Sequence, residues 1–211
     1  MSQGWPAQLA YGPVRLRPLR LRDAGEWRIA RLTDRDWLEP WEATTPGVVT
    51  ADDLGHGYID SIRVLRREAR LGLAYPFALE LDEHFSGQIT VGAITRGSVN
   101  SAYVGYWIVR RYAGRGIMPT ALALVVDHCF GDGGLHRIEA NIRPENAASR
   151  RVVEKLGFRP EGTRQRYIHI AGGWRDHLSY ALTVEDVSGG LLHRWLAGGG
   201  GVKPAGDPAR P

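Results

Sequence analysis

VGYWIVRRYAGRGIMPTALALVVDHCF, residues 104–130, decides how this chain is read. Val104–Val109 is an apolar, β-prone run of strand length, and Ala121, Leu122, Val125, Val126 and Cys129 fall on one stripe at helical spacing. Between them lies a turn rich in arginine and glycine. Gly114 and Gly116 carry no Cβ, so a ligand can approach the backbone closely there, and Pro119 fits the first turn of a helix, where a missing N–H costs little. A helix N-terminus presents unpaired N–H groups and a partial positive charge. With Arg110, Arg111 and Arg115 beside it, the turn is built to hold an anion, and a pyrophosphate fits best. No GxxxxGK[ST] occurs, which argues against a P-loop, and GRGIMP lacks the third glycine of the dinucleotide fingerprint.

The rest of the chain is read outward from that stretch. Its 211 residues, 43% hydrophobic, suffice for one domain with a full core. No apolar run approaches the roughly 18–20 residues needed to span a bilayer. MSQGWPAQLAYGP does not have the pattern of a signal peptide. A single cysteine, Cys129, excludes an intrachain disulfide and a cysteine-based zinc cage, so a reducing, cytoplasmic location is expected. Of the 27 basic residues only Lys155 and Lys203 are lysines, a ratio that codon bias explains better than phosphate binding does. A net charge of +4 gives little reason to expect a nucleic-acid partner.

In chain order, residues 1–12 read as a loose lead-in and Val14–Leu19 as a half-buried strand near a sheet edge. Asp23 with Glu26, and Thr50 with Asp53, read as capping boxes opening two helices. The second helix buries Tyr58, Ile62, Leu65 and Ala69 and turns Arg63, Arg66, Arg67 and Arg70 outward, as a solvated face or one attracting an acidic or RNA-rich partner. DRDWLEPWEATTP (34–46) reads as a structured loop or short helical turn whose Trp37 and Trp41 either bury against the core or wall a groove. Residues 75–81, 87–95 and 102–109 read as an antiparallel meander. A helix then leads to a parallel strand, Arg137–Ile142, in a βαβ unit. Asn146 caps a helix over Ala147–Leu156, Gly157 ends it, and strands at 163–170 and 177–184 form a closing hairpin. A short helix is expected within 185–197, and AGGGGVKPAGDPARP reads as disordered.

Arg111–Gly116, RYAGRG, resembles the (Q/R)-x-x-G-x-(G/A) acyl-CoA motif of the GNAT N-acetyltransferases. Its setting strengthens the match: a strand before, a helix after, a parallel strand next, then N-x-x-S in NAASRRVVEKLGF (146–158). DRDWLEPWEATTP resembles the ribosomal-protein-alanine branch, of the RimJ/RimL type. The resemblance spans about residues 13–185 and implies an α/β GNAT fold. That fold is a mixed, mostly antiparallel seven-stranded sheet with one splayed parallel pair and helices on both faces. Residues 1–12 would be a lead-in, and 186–211 a short helix and disordered tail.

The resemblance further implies acetyl-CoA as co-substrate, with no metal, and direct acetyl transfer to an amine. The pantetheine arm would use backbone at Trp107, Ile108 and Val109, with an N–H of Ile108 or Val109 polarising the thioester carbonyl. Backbone at Gly114, Arg115, Gly116, Ile117 and Met118 would hold the pyrophosphate, with Arg111 and Arg115 as charge partners and Asn146 and Ser149 closing the cofactor side. In related enzymes a helix tyrosine protonates the leaving thiolate, but the aligned position here is Val153, and Ser149 is the branch's candidate acid. Glu161 is the candidate base, with Glu139 as its competitor. The expected acceptor is a protein N-terminus, Ala or Ser, of a ribosomal protein, for an enzyme acting as monomer or homodimer away from membranes. A small-molecule amine acetyltransferase, or an RNA- or ribosome-binding module with a vestigial CoA site, are the alternatives.

Overall fold

The computed structural model describes residues 3–46 and 56–203. Its centre is one eight-stranded sheet with strand order β1-β2-β3-β4-β5-β6-β8-β7. The strands are β1 (Leu9–Tyr11), β2 (Val14–Pro18), β3 (Tyr75–Leu81), β4 (His84–Thr95), β5 (Ser101–Ile108), β6 (Arg137–Ile142), β7 (Arg159–Ile170) and β8 (Gly173–Thr183). All neighbours are antiparallel except β5 and β6. The helices are α1 (Ala24–Thr33), α2 (Arg35–Leu38), α3 (His56–Arg70), α4 (Ile117–Phe130), α5 (Ala147–Lys155) and α6 (Leu191–Ala197).

The sheet has one strand more than the seven expected. The extra strand, β1, lies in the stretch read as a loose lead-in, where Gly12 at φ +55° lets the chain reverse into β2. Trp5 is also fixed, stacked on Tyr75 with ring centroids 5.6 Å apart and edge-on to Phe77 at 5.0 Å. The β3–β4 turn is tighter than DEHFS suggests. Asp82 and Glu83 both take positive φ, so two residues close the hairpin and β4 starts at His84. Without the usual Asn-Gly or Asp-Gly pair, that turn left little mark on the sequence.

The capping box expected at Asp23 and Glu26 does not form. Asp23 is buried and accepts two hydrogen bonds of 2.8 Å from the Arg17 guanidinium, plus one of 2.8 Å from the Arg20 N–H. Glu26 accepts the Phe85 N–H at 2.6 Å, tying α1 to β4. The box expected at Thr50 and Asp53 lies outside the described residues. In α3, Tyr58, Ile62 and Ala69 are buried and the four arginines exposed, as the spacing requires.

The stripe read on α4 proves too narrow. Burial extends around most of the helix, including Thr120 and His128, because the sheet packs on one side and α6 on another. Trp195 of α6 donates its Nε1–H to Thr120 Oγ1 at 3.0 Å. Residues 198–203, expected to be disordered from their composition, instead run back as a strap. The Lys203 N–H donates to the Arg115 carbonyl at 2.9 Å, and Gly200 packs against the Trp195 ring so closely that a Cβ would overlap it. Among the described residues no helix is long and apolar enough to cross a membrane.

Candidate active site

The parallel strands β5 and β6 pair only at Ser101–Tyr103 with Arg137–Glu139. Beyond that they diverge, while β6 stays paired to β8 from Arg137 to Ile142. The sheet therefore opens between residues 104–108 and 140–142. A groove of about 880 Å³ runs across this opening, lined along β5 by Tyr106, Trp107 and Ile108 and at its far side by Asn146, Ser149 and Val152 of the α5 region.

Ladder alternation decides which amides face the gap. The Val109 N–H is committed to the Ser86 carbonyl at 2.9 Å. Gly87 and Ile108 are the next opposed pair, so the Ile108 N–H points away from β4, toward the opening. Of the two donors considered from sequence, Ile108 is the one with a free direction; the other is spent on the sheet.

After β5 the chain makes a 3-10 turn, Arg110–Tyr112, and then passes Gly114 and Gly116, each at φ +77°. Gly116 is the N-cap of α4. Left-handed backbone at both positions is what requires glycine, and it gathers the first amides of α4 at one point. Gly114, Gly116, Met118 and Pro119 line the groove, whereas the Ile117 side chain is buried in the core and leaves only its backbone for a ligand. Arg111 and Arg115 lie over the Tyr112 ring, with centroid distances of 4.7 and 5.7 Å.

At the other end, Asn146 caps α5 by accepting the Ser149 N–H at 3.0 Å. Ser149 Oγ donates to Tyr106 Oη at 2.9 Å, and the phenol donates to the Ser149 carbonyl at 3.1 Å. Burial pushes the Tyr106 phenol above its ordinary range, so it stays protonated. Val153 is fully buried in the core. The phenolic hydroxyl at this end of the groove thus comes from the adjoining strand and not from α5. Nothing in VGYWIV, which reads as a plain strand, singles out Tyr106.

The carboxylates sort differently from the sequence expectation. Glu161, expected as base, lies on β7 and takes a bidentate contact from Arg137 and a further one from Arg159 at 3.7 Å. The Arg137 hydrogen bonds hold its carboxyl below the usual range. Glu139, its competitor, is held by Arg137 at 2.9 Å and Arg164 at 2.7 Å. Neither is a groove residue. The hairpin strand begins four residues earlier than expected, at Arg159, so Glu161 is the unpaired residue of a β-bulge within β7 and not part of a free turn.

Asp36, Glu42 and Glu145 are the carboxylates that line the groove. Glu42 is half-buried and ion-paired to Arg31, and burial raises its pKa. The Arg31 guanidinium lies 5.0 Å from the Trp27 ring and 5.6 Å from Trp107, which fixes Glu42 beside β5. Trp37 and Trp41 are both half-buried and both line the groove, so they serve as wall and packing at once. Their loop is fastened throughout. Asp34 accepts the Arg110 N–H at 2.7 Å, Trp37 Nε1–H donates to the Ile108 carbonyl at 3.2 Å, and Arg143 donates to the Pro40 carbonyl at 2.9 Å. Thr44 N–H donates to the His169 carbonyl at 2.9 Å.

Cys129 is buried and burial raises its thiol pKa, which suits a core residue. Among the described residues no cluster of His, Cys, Asp and Glu is placed to hold a metal ion.

Comparison with known proteins agrees with this geometry. A family model described as an acetyltransferase (GNAT) domain matches residues 14–159. The solved structure of RimJ from Mycobacterium smegmatis, in complex with CoA-disulfide, is similar with a TM-score of 0.89 at 44% identity, covering 94% of this chain and 98% of that one. The probable N-acetyltransferase YjcK of Bacillus subtilis is 33% identical over 177 residues, 82% of this chain and 95% of that protein. The ribosomal protein uS5-alanine N-acetyltransferase of Escherichia coli is 32% identical over 174 residues, 79% of this chain and 86% of that protein.

Proposed function

We infer the reaction from one premise: this chain belongs to the GNAT N-acetyltransferase family. It is an acyltransferase, and the reading supported best is transfer of acetyl from acetyl-CoA to the N-terminal amine of a protein, a ribosomal protein with an Ala or Ser N-terminus. The observation that carries the reading is the opening between β5 and β6, which joins the glycine turn at one end to the Ser149–Tyr106 pair and the tryptophan loop at the other. RimJ of M. smegmatis was solved with CoA-disulfide, and the E. coli relative is named for ribosomal protein uS5, which supports both substrates.

Bound acetyl-CoA supplies the activated acetyl group as a thioester. The Ile108 N–H is the donor for the thioester oxygen, where charge develops as the amine attacks. The Tyr106 hydroxyl turns its proton from the Ser149 carbonyl to the departing sulfur, and the Ser149 Oγ–H, which donates to the phenolic oxygen, stabilises the phenolate until solvent returns the proton. A protein N-terminal amine has a pKa of about 7.7–8.0, so a neutral fraction is present near neutral pH. The proton lost from nitrogen goes to a groove carboxylate. Glu42 suits this because burial lifts its pKa toward the range where a carboxylate works as a base, and Arg31 keeps it in place. Glu161 is committed to Arg137 and takes no part.

The test is incubation of the protein with labelled acetyl-CoA and a panel of N-terminal peptides and free amines. Label on Ala- or Ser-initiated peptides is the expected result. Label on small amines alone would replace the reading with small-molecule acetylation, and no transfer to any acceptor would remove it.

A further inference from the structure

The opening between β5 and β6 needs something to hold it at one width. Backbone pairing does this only at Ser101–Tyr103. At the wide end the two strands are joined by another route, through the tryptophan loop. On the β5 side that loop is bonded at two points, Asp34 to the Arg110 N–H and Trp37 Nε1–H to the Ile108 carbonyl. On the β6 side its groove-lining part, residues 36–42, has one hydrogen bond among the described residues, and it comes from Arg143. Thr44 is bonded to His169 of β7, but neither of these two lines the groove.

Arg143 directly follows Ile142, the last residue of β6. Its side chain is only 17% exposed, and its guanidinium is engaged on three sides. Nη1–H donates to the Pro40 carbonyl at 2.9 Å, Nε–H donates to Glu145 at 3.1 Å, and Cζ lies 5.5 Å from the centre of the Trp41 ring. A planar fork can serve all three at once, which a single ammonium cannot. The Arg143 carbonyl also accepts the Asn146 N–H at 3.0 Å, opening the turn in which Asn146 caps α5 at Ser149. One residue thus joins the loop that leads to Glu42 with the turn that leads to Ser149 and Tyr106. Arg143 itself does not line the groove, whereas the three residues its guanidinium holds, Pro40, Trp41 and Glu145, all do.

We propose that Arg143 is a positioning residue for acetyl transfer: it ties the tryptophan loop across the open end of the β5–β6 gap, and so sets the acceptor wall and Glu42 against the Tyr106–Ser149 pair. This role rests on the acetyltransferase reading above. A sheet ladder cannot perform it, because the strands diverge where the groove needs them apart. None of the Arg143 side-chain contacts reaches the glycine turn, so the tie acts on the acceptor side and leaves the cofactor cradle alone.

Steady-state kinetics of the full chain, with acetyl-CoA and the best acceptor from the panel above, test this role. In Arg143→Ala the KM for the acceptor should rise about tenfold, the low end of the range for one charge-assisted hydrogen bond, with a smaller fall in kcat. The KM for acetyl-CoA should stay at its wild-type value. Arg143→Lys keeps the charge and a donor but not the fork, so it should recover part of the loss. If circular dichroism shows that the Ala variant does not fold, the Lys variant must show the raised acceptor KM by itself. Trp37→Phe cuts the tie at its β5 end, so Arg143→Ala/Trp37→Phe should be little worse than the poorer single variant. Unchanged constants in the Arg143 variants, a parallel rise in both KM values, or fully additive losses in the double variant overturn the proposal and leave the acetyltransferase reading intact. No transfer by wild type to any peptide or amine overturns that reading itself.

Discussion

The two ends of the groove are built from different materials. At the α4 end the parts are backbone: positive-φ glycines, the first amides of α4 and, where β5 leads into the turn, one outward N–H at Ile108. They come from residues 108–118, a single stretch of chain. At the other end the parts are side chains brought together from far apart. Tyr106 meets Ser149, Arg31 meets Glu42 and Trp107, and the tryptophan loop is bonded to Arg110 and Arg143. A backbone device tolerates side-chain changes that preserve its dihedrals and fails abruptly when they do not. A side-chain device loses function one group at a time.

That contrast can be broken by mutation. The largest effect is expected from Gly114→Asp, which strains a φ of +77° and sets a negative charge in the cradle. CoA affinity should fall by about a hundredfold or more, the loss of roughly 3 kcal/mol of anion stabilisation. Unchanged affinity in a calorimetric titration would show that the turn does not hold the pyrophosphate. Next is Tyr106→Phe, which removes the hydroxyl and keeps the ring. It should lower kcat by about ten- to a hundredfold at unchanged CoA affinity, and adding Ser149→Ala should cost little more, because the two act as one unit. Full additivity in steady-state kinetics would separate them.

Glu42→Gln should lower kcat by about tenfold. Glu42 must be ionised to accept a proton, so the wild-type rate should fall as pH drops through its raised pKa, and the variant should lack that acid limb. A variant with the same pH profile would move the base elsewhere. The smallest effect is expected from Glu161→Gln, with activity within about twofold of wild type because the side chain is outside the groove. Its effect is on stability. The folded-state pKa is depressed, so the pair with Arg137 contributes above the ordinary carboxylate range and is lost as pH falls through the lower value. Thermal melts of wild type and variant should differ slightly at neutral pH and converge in acid. A large loss of turnover would restore Glu161 as base.

This difference also explains what can be read from the chain alone. β3 and β6 fall where alternation and turn residues put them, and the turn that opens α4 is legible because its glycines and proline are contiguous. The Tyr106–Ser149 pair depends on how β5 and α5 come together across 43 residues, which no local pattern encodes. Glu161 misleads because a motif records neighbours in sequence, whereas its partner Arg137 sits across the sheet. β1 escapes because three residues are too few for a period to register. The strap misleads because glycine-rich composition resembles disorder, although Trp195 and Arg115 give this one a surface to fit.

The opening between β5 and β6 has a thermodynamic consequence. A sheet that parts in its middle leaves strand edges with amides and carbonyls that no neighbour pairs, the situation that makes edge strands adhesive. A ligand lying along that gap acts as a substitute strand, much as a peptide does when it extends a sheet. Cofactor binding should therefore be legible as heat resistance. At a ligand concentration of about 100 times Kd, linkage adds about 2.7 kcal/mol to the native state. For a chain of this length that is a rise in Tm of several degrees, and the cofactor-free protein should be the form more prone to associate through its open sheet.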